Sequence, residues 1–135
     1  MTTARIQALA VLALLLGVAP HAGAQARWKE IGKTSTGNAV SIDPRSVKHA
    51  GGIVSATVRL VYTTPVSTPD GPLASTVTKA MFNCAKRSMA VTESVMYGDT
   101  RGRKVLERHV NKIPGYGTTI KGSPTDVALG YLCAK

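Results

Sequence analysis

The chain has 135 residues, and its 17 Lys and Arg residues against 7 Asp and Glu residues give a formal net charge of +10. This length is typical of one small domain and leaves no room for several. The positive charge favours anionic partners, namely acidic lipids, polysaccharides, acidic proteins or nucleic acid; the alternative interpretation is that it serves solubility alone.

The first 24 residues have the three parts of a secretory signal peptide. Arg5 precedes an apolar run at 6–18 that is too short for a good membrane span, and Pro20 and the small residues 22–24 follow it. We predict a signal peptide at 1–24 and one domain at 25–135, with cleavage after Ala26 as the alternative. Export argues against genomic DNA or cytoplasmic RNA as partners. No cysteine lies at the cleavage site, which argues against lipid attachment there.

Two short strands open the predicted domain. Residues 27–33, which contain Trp28, form the first, and residues 34–38 have the composition of a turn. Residues 39–43 form the second strand, which Pro44 ends.

Residues 53–63 form the clearest strand, because apolar and polar residues alternate and leave one apolar face. That face consists of Val54, Ala56, Val58, Leu60 and Tyr62. A turn at 49–52 precedes the strand. Residues 65–72 contain three prolines and no periodicity, which predicts a loop.

Two further strands are predicted at 75–84 and 87–97, followed by a hairpin turn at 98–102 and an edge strand at 103–110. The inward face of the first is predicted to carry Ala80, Phe82 and Cys84. The second has Met89, Val91, Val95 and Tyr97 in register, and Glu93 interrupts this apolar face.

Residues 111–122 are predicted to be irregular, and a helix is predicted at 124–134. Ser123 is a favourable N-cap, Pro124 occupies the first helical position, and Asp126 resembles the acid of a capping box. The apolar stripe of the helix is Leu129, Leu132 and Cys133.

The two cysteines, Cys84 and Cys133, are predicted to form a disulfide, because an exported chain meets an oxidising compartment. Free buried thiols and pairing between chains are the alternatives. The resulting fold class is α+β: a meandering antiparallel sheet of about six strands carries one C-terminal helix on one face, tethered by the Cys84–Cys133 disulfide.

No enzymatic, metal or cofactor site is predicted. His49 and His109 have no nearby ligands at metal-binding spacing, and both thiols are assigned to the disulfide. Glu93 is the one unusual acid, and it could have a raised pKa and a catalytic role. We expect instead that it pairs with a neighbouring Lys or Arg, or that the facing assigned to this strand is wrong. The remaining aspartates that we considered are in turns or at a helix cap: Asp43, Asp70, Asp99 and Asp126.

Basic residues near the final hairpin form a candidate site for an acidic protein segment or a sulfated glycan. They are Arg101, Arg103, Lys104, Arg108 and Lys112, with Lys86 and Arg87 near the start of the preceding strand. If the two strands are adjacent, one end of the sheet is strongly positive; the alternative is a solvated edge. Few aromatic residues are interleaved with these charges, which argues against nucleic acid.

The order of these features resembles the bacterial surface-adhesin protein E family of Gram-negative bacteria. The resemblance rests on Trp28-x-x-x-Gly32, Val40-x-Ile42-Asp43 with Ser46-Val47, the strand from Gly52 to Tyr62, the segment Asn83 to Arg87, and the helix ending Leu132-Cys133. It implies an antiparallel sheet with a tethered C-terminal helix.

The resemblance also implies adhesion to host matrix and plasma proteins such as laminin and vitronectin, with homodimers and haem binding described for the family. This chain lacks the lipid-accepting cysteine of the lipoprotein adhesin, and no binding motif of the family can be carried over to its residues. We therefore expect a non-enzymatic envelope protein, periplasmic or at the cell surface, that acts as an adhesin. The alternatives are a soluble periplasmic protein with a structural or assembly role, or a binder of haem or another anionic small ligand.

Overall fold

A computed structural model describes residues 27–134, and the predicted signal peptide at 1–24 lies outside them. The described chain forms one antiparallel sheet of eight strands, one turn of 3-10 helix at Pro44–Ser46 and one α-helix. The bounds are β1 Lys29–Lys33, β2 Ala39–Ile42, β3 Lys48–Ala50, β4 Ile53–Thr68, β5 Gly71–Asn83, β6 Ser88–Tyr97, β7 Val105–Val110, β8 Gly117–Thr118 and α1 Pro124–Leu132. The predicted fold class is confirmed.

The main path of the sheet runs β1-β2-β4-β5-β6-β7, and its six strands match the predicted number. β2 and β3 both pair with β4 and are joined by the 3-10 turn, and β7 and β8 both pair with β6. The sequence prediction missed β3 and β8, which have three and two residues. Strands this short carry no periodic pattern.

The helix covers one face of the sheet, and the hydrophobic core lies between the two. Phe82 of β5, Val40 of β2 and Leu129 of α1 are at most 1% exposed. The predicted inward faces of β4 and β5 are confirmed: Val54, Ala56, Val58, Leu60, Ala80 and Phe82 are buried, and Tyr62 and Cys84 pack against them.

The Cys84–Cys133 disulfide is confirmed, and it joins the end of β5 to the C-terminal end of α1. The two Cα atoms are 5.4 Å apart. Since Cys84 and Cys133 also pack against the core, the bond fixes the short helix where its apolar side meets the sheet.

The helix begins as predicted, but its acid acts differently from that of a capping box. Ser123 Oγ accepts a hydrogen bond from the Asp126 backbone N–H. The Asp126 carboxylate accepts from the Gly122 N–H at 2.9 Å and the Thr119 hydroxyl at 2.8 Å, while the Ser123 N–H donates to Ile120. The hydrogen bond from Gly122, followed by that from Thr119, lowers the pKa of Asp126. The acid therefore ties the incoming chain to the first turn of the helix.

The prediction of a loop at 65–72 is wrong. β4 continues to Thr68 and β5 begins at Gly71, so the two strands extend as a long hairpin. Pro65 lies where the register shifts between Val61 and Val66, a position at which its missing N–H removes no ladder hydrogen bond. Proline and turn composition were therefore misleading at this point.

The predicted single face of β6 is also wrong, because a bulge divides the strand. Val91 is opposite Ala80, but Glu93 is opposite Lys79, which leaves Thr92 as an extra residue. One added residue turns all later side chains to the other face of the sheet. Met89 and Val91 therefore share the face of Phe82, whereas Glu93, Val95 and Tyr97 lie on the face without the helix.

Candidate functional site

The face of the sheet opposite the helix contains a concavity of about 210 Å³, which we call the open-face concavity. Its floor is formed by residues that align across three strands. Arg59 of β4 is opposite Val77 of β5, which is opposite Val95 of β6. One row along, Lys79 is opposite Glu93. Its remaining wall residues that concern us are Arg27, Trp28, Tyr97 and Arg101.

The β6–β7 turn is fixed over this concavity by specific contacts. The Ser75 hydroxyl donates to the Asp99 carbonyl oxygen at 2.6 Å, and the Asp99 carboxylate accepts from the Arg103 N–H at 3.0 Å. Gly102, at φ +72°, lies against the Tyr97 ring, where a Cβ would be 3.7 Å from the ring. This turn conformation places Arg101 on the wall of the concavity.

Trp28, the only tryptophan of the chain, is contacted by two guanidinium groups. The Cζ atoms of Arg27 and Arg59 are 4.9 Å and 4.7 Å from its ring centroid. Both distances are within the range of cation–π attraction. The aromatic ring therefore orients two cations at the edge of the concavity.

Arg59 is the less compensated of these two cations. Arg27 Nε donates to the Asp43 carboxylate at 2.9 Å, whereas the buried Nε of Arg59 meets no hydrogen-bond acceptor within residues 27–134. Burial, followed by the charge of Arg27, lowers the pKa of Arg59. The Nε donor in this position lacks both hydration and a hydrogen-bond partner, and both losses are unfavourable.

Glu93 pairs with neighbouring cations, which was the expected interpretation. Its carboxylate is 3.3 Å from Lys79 Nζ and 3.0 Å from an Arg108 guanidinium nitrogen. Desolvation alone would raise the pKa of Glu93, but the hydrogen bonds and charges of Lys79 and Arg108 outweigh it and lower the pKa. The raised pKa that a catalytic acid would need is contradicted.

The predicted basic residues do not form one positive end of the sheet. Arg101, Arg103 and Lys104 are in the turn after β6, whereas Lys86 and Arg87 are in the turn before it. The ten residues of β6 separate these turns by about 30 Å. Arg108 pairs with Glu93, and Lys112 is an exposed residue beyond the end of β7.

Sequence reasoning missed Arg27, Trp28, Arg59, Lys79 and Tyr97 as members of one site. A signal was present in β4, where Arg59 is the only charged residue of a 16-residue strand. The bulge at Thr92, which places Tyr97 and Glu93 on this face, has no comparable signature in the sequence.

Within the described part of the chain, no group of three His, Cys, Asp or Glu residues could hold a metal ion. His109 contacts the Asn111 side chain at 2.8 Å, and His49 is in the edge strand β3. No helix between residues 27 and 134 is long and apolar enough to cross a membrane.

Comparisons with known proteins identify the family. The sequence model of the family described as surface-adhesin protein E matches residues 28–134. One crystal form of Haemophilus influenzae protein E aligns with a TM-score of 0.55 and 15% identity, over 86% of this chain and 94% of that chain. A second structure of the same protein gives 0.54 and 15%, over 86% and 90%. No curated protein sequence matches. At these identities the structures support the fold, and the family match covers nearly all of the described residues: the chain belongs to the surface-adhesin protein E family.

Proposed function

We propose that this protein is an exported, non-enzymatic envelope protein that binds acidic segments of host matrix or plasma proteins through the open face of its sheet. The observation that carries the proposal is the open-face concavity, which Arg27, Arg59, Lys79 and Arg101 line together with Trp28. The helix and the disulfide are on the opposite face, so this surface is left available to a partner.

The residue types of this surface suit protein recognition. Trp, Tyr and Arg are the residues most often found at the energetic centres of protein interfaces. Complementary charge also speeds association and selects acidic partners over basic ones. Laminin and vitronectin are the first host proteins to test, because the resemblance to the adhesin family implies them.

The location of the protein decides whether host proteins can reach it. The predicted signal peptide at 1–24 implies export, and adhesion further requires the cell surface. Brief protease treatment of intact Gram-negative cells that express the protein should degrade it, while a periplasmic marker stays intact. Recovery of the whole protein in the periplasmic fraction alone would instead favour the soluble periplasmic role.

The binding test uses immobilised laminin and vitronectin with the purified protein at two salt concentrations. Binding should weaken as salt rises, since ionic strength screens exposed charges. The double variant Lys79→Ala/Arg101→Ala, which removes two cations that line the concavity, should bind more weakly than the wild type. The control, Lys33→Ala/Lys48→Ala, removes the same charge from exposed positions outside the concavity. Equal losses in the two variants would contradict a specific role for the open face.

A further inference from the structure

We infer that the open-face concavity receives the carboxylate of a single Glu or Asp side chain, with Arg59 as its main ligand. This inference rests on the proposed function, because it specifies what part of an acidic partner enters the surface. It assigns a specific anchor to a binding surface whose other contacts depend on general charge attraction.

The balance of charges in the concavity favours an anionic guest. Four cations line it against the single carboxylate of Glu93, which already pairs with Lys79 and Arg108. Arg27 pairs with Asp43. Arg59 and Arg101 form no salt bridge within the described residues, so the uncompensated positive charge is concentrated on these two side chains.

The position of Arg59 is difficult to explain by stability alone. Its Nε is buried in the middle of β4 with no acceptor in the part of the chain that the structure describes. A methionine or leucine would fill the same place without a buried donor. The guanidinium is also oriented in advance, because it stands over Trp28 at 4.7 Å from the ring centroid. A group held in its binding geometry loses less entropy when a ligand arrives.

The shape and lining of the concavity favour a carboxylate side chain over a larger anion. A planar carboxylate matches the guanidinium fork and accepts two parallel hydrogen bonds from it. The apolar side chains of Val77 and Val95, together with Tyr97, suit the methylene groups of Glu or Asp. The volume of about 210 Å³ is also smaller than the roughly 300–1,000 Å³ of pockets that hold whole small molecules.

The single tryptophan provides a direct measurement, since Trp28 contacts Arg59 itself. The full-length mature protein is titrated with the peptide acetyl-Gly-Glu-Gly-Glu-Gly-amide, and Trp28 fluorescence is recorded alongside isothermal titration calorimetry. The same peptide with Gln in place of Glu is the ligand control. We expect saturable binding of the Glu peptide and none of the Gln peptide.

Variants then locate the site. Arg59→Gln should weaken peptide binding by about tenfold or more, the effect of removing charge-assisted hydrogen bonds. Arg59→Lys, which keeps the charge and loses the fork, should also bind more weakly. The exposed control Lys48→Gln, outside the concavity, should change affinity less than about twofold. Arg101→Gln, in an exposed turn, provides a second test if the β4 variants fold poorly, which circular dichroism will detect.

Three results would overturn the inference. They are no saturable binding by either method, equal losses for Arg59→Gln and Lys48→Gln, or tighter binding of a sulfated disaccharide than of the Glu peptide. The proposed function can fail separately. Peptide binding without capture of laminin or vitronectin would leave the anchor site and remove the adhesin role. Unchanged capture of laminin or vitronectin by Arg59→Gln would leave the adhesin role and remove the anchor site from it.

Discussion

The two faces of the sheet are built from the same strands and differ in almost every physical respect. The face under the helix is apolar and closed, with Phe82 at 0% exposure and a disulfide at its margin. The open face carries Arg59, Lys79 and Glu93, and a buried nitrogen of Arg59 has no acceptor among the described residues. The apolar core and the disulfide are therefore concentrated on one face, and charged side chains line the other.

The boundary between the faces depends on one inserted residue. Without the bulge at Thr92, the alternation of β6 would direct Glu93 and Tyr97 toward the helix and into the core. With it, Glu93 reaches Lys79 on the open face. The bulge thus supplies polar groups to the open face and keeps a carboxylate out of the apolar layer.

The largest effect is expected for a cavity under the helix. Phe82→Ala should lower the free energy of unfolding by about 3–5 kcal/mol, because it removes a fully buried ring and leaves a void. Val77→Ala, on the open face and half-buried, should cost about 1 kcal/mol. Urea denaturation followed by circular dichroism measures both. Similar losses in the free energy of unfolding for the two variants would contradict the view that the closed face provides most of the stability.

The second effect concerns the covalent tie on the closed face. Cys84→Ser/Cys133→Ser opens a crosslink that spans 49 residues, and the expected loss is about 4 kcal/mol, mostly through the greater entropy of the unfolded chain. Urea midpoints of the variant and of the reduced wild type should agree. In native, unreduced protein neither sulfur should react with an alkylating agent. A loss below about 1 kcal/mol would show that packing of Leu129 alone holds the helix.

Most of the closed face could be predicted from the sequence, because its signals are local and mutually consistent. Alternation in β4 located Val54 to Leu60 on one side, the Ser123-Pro124 pair marked the helix start, and two cysteines in an exported chain suggested their bond. The first two inferences need only residues that are near one another in sequence, and the third needs only the number of cysteines.

The open face could not be predicted in the same way, because it depends on register. The concavity requires that Arg59, Val77 and Val95 align across three strands, and pairing registers leave no mark on any single strand. The basic residues were found as a cluster in sequence, but the strand between Lys86 and Arg101 separates them in space. The hairpin near Pro65 shows the same limit: composition predicts a turn, and long-range pairing overrides it.

The smallest expected effect is the most informative for the comparison. Arg59→Met should change the free energy of unfolding by less than about 1 kcal/mol and in the stabilising direction. The change is small because two effects nearly cancel. Removing the buried, unpartnered donor raises the free energy of unfolding by about 1–3 kcal/mol, and losing the cation–π contact with Trp28 lowers it by about 0.5–2 kcal/mol. The exposed control Lys112→Met should change stability by less than about 0.5 kcal/mol. A loss of more than 2 kcal/mol in Arg59→Met would mean that Arg59 holds the sheet together. In that case Arg59 would be part of what stabilises the fold, and the distinction between a stable closed face and a charged open face would no longer hold.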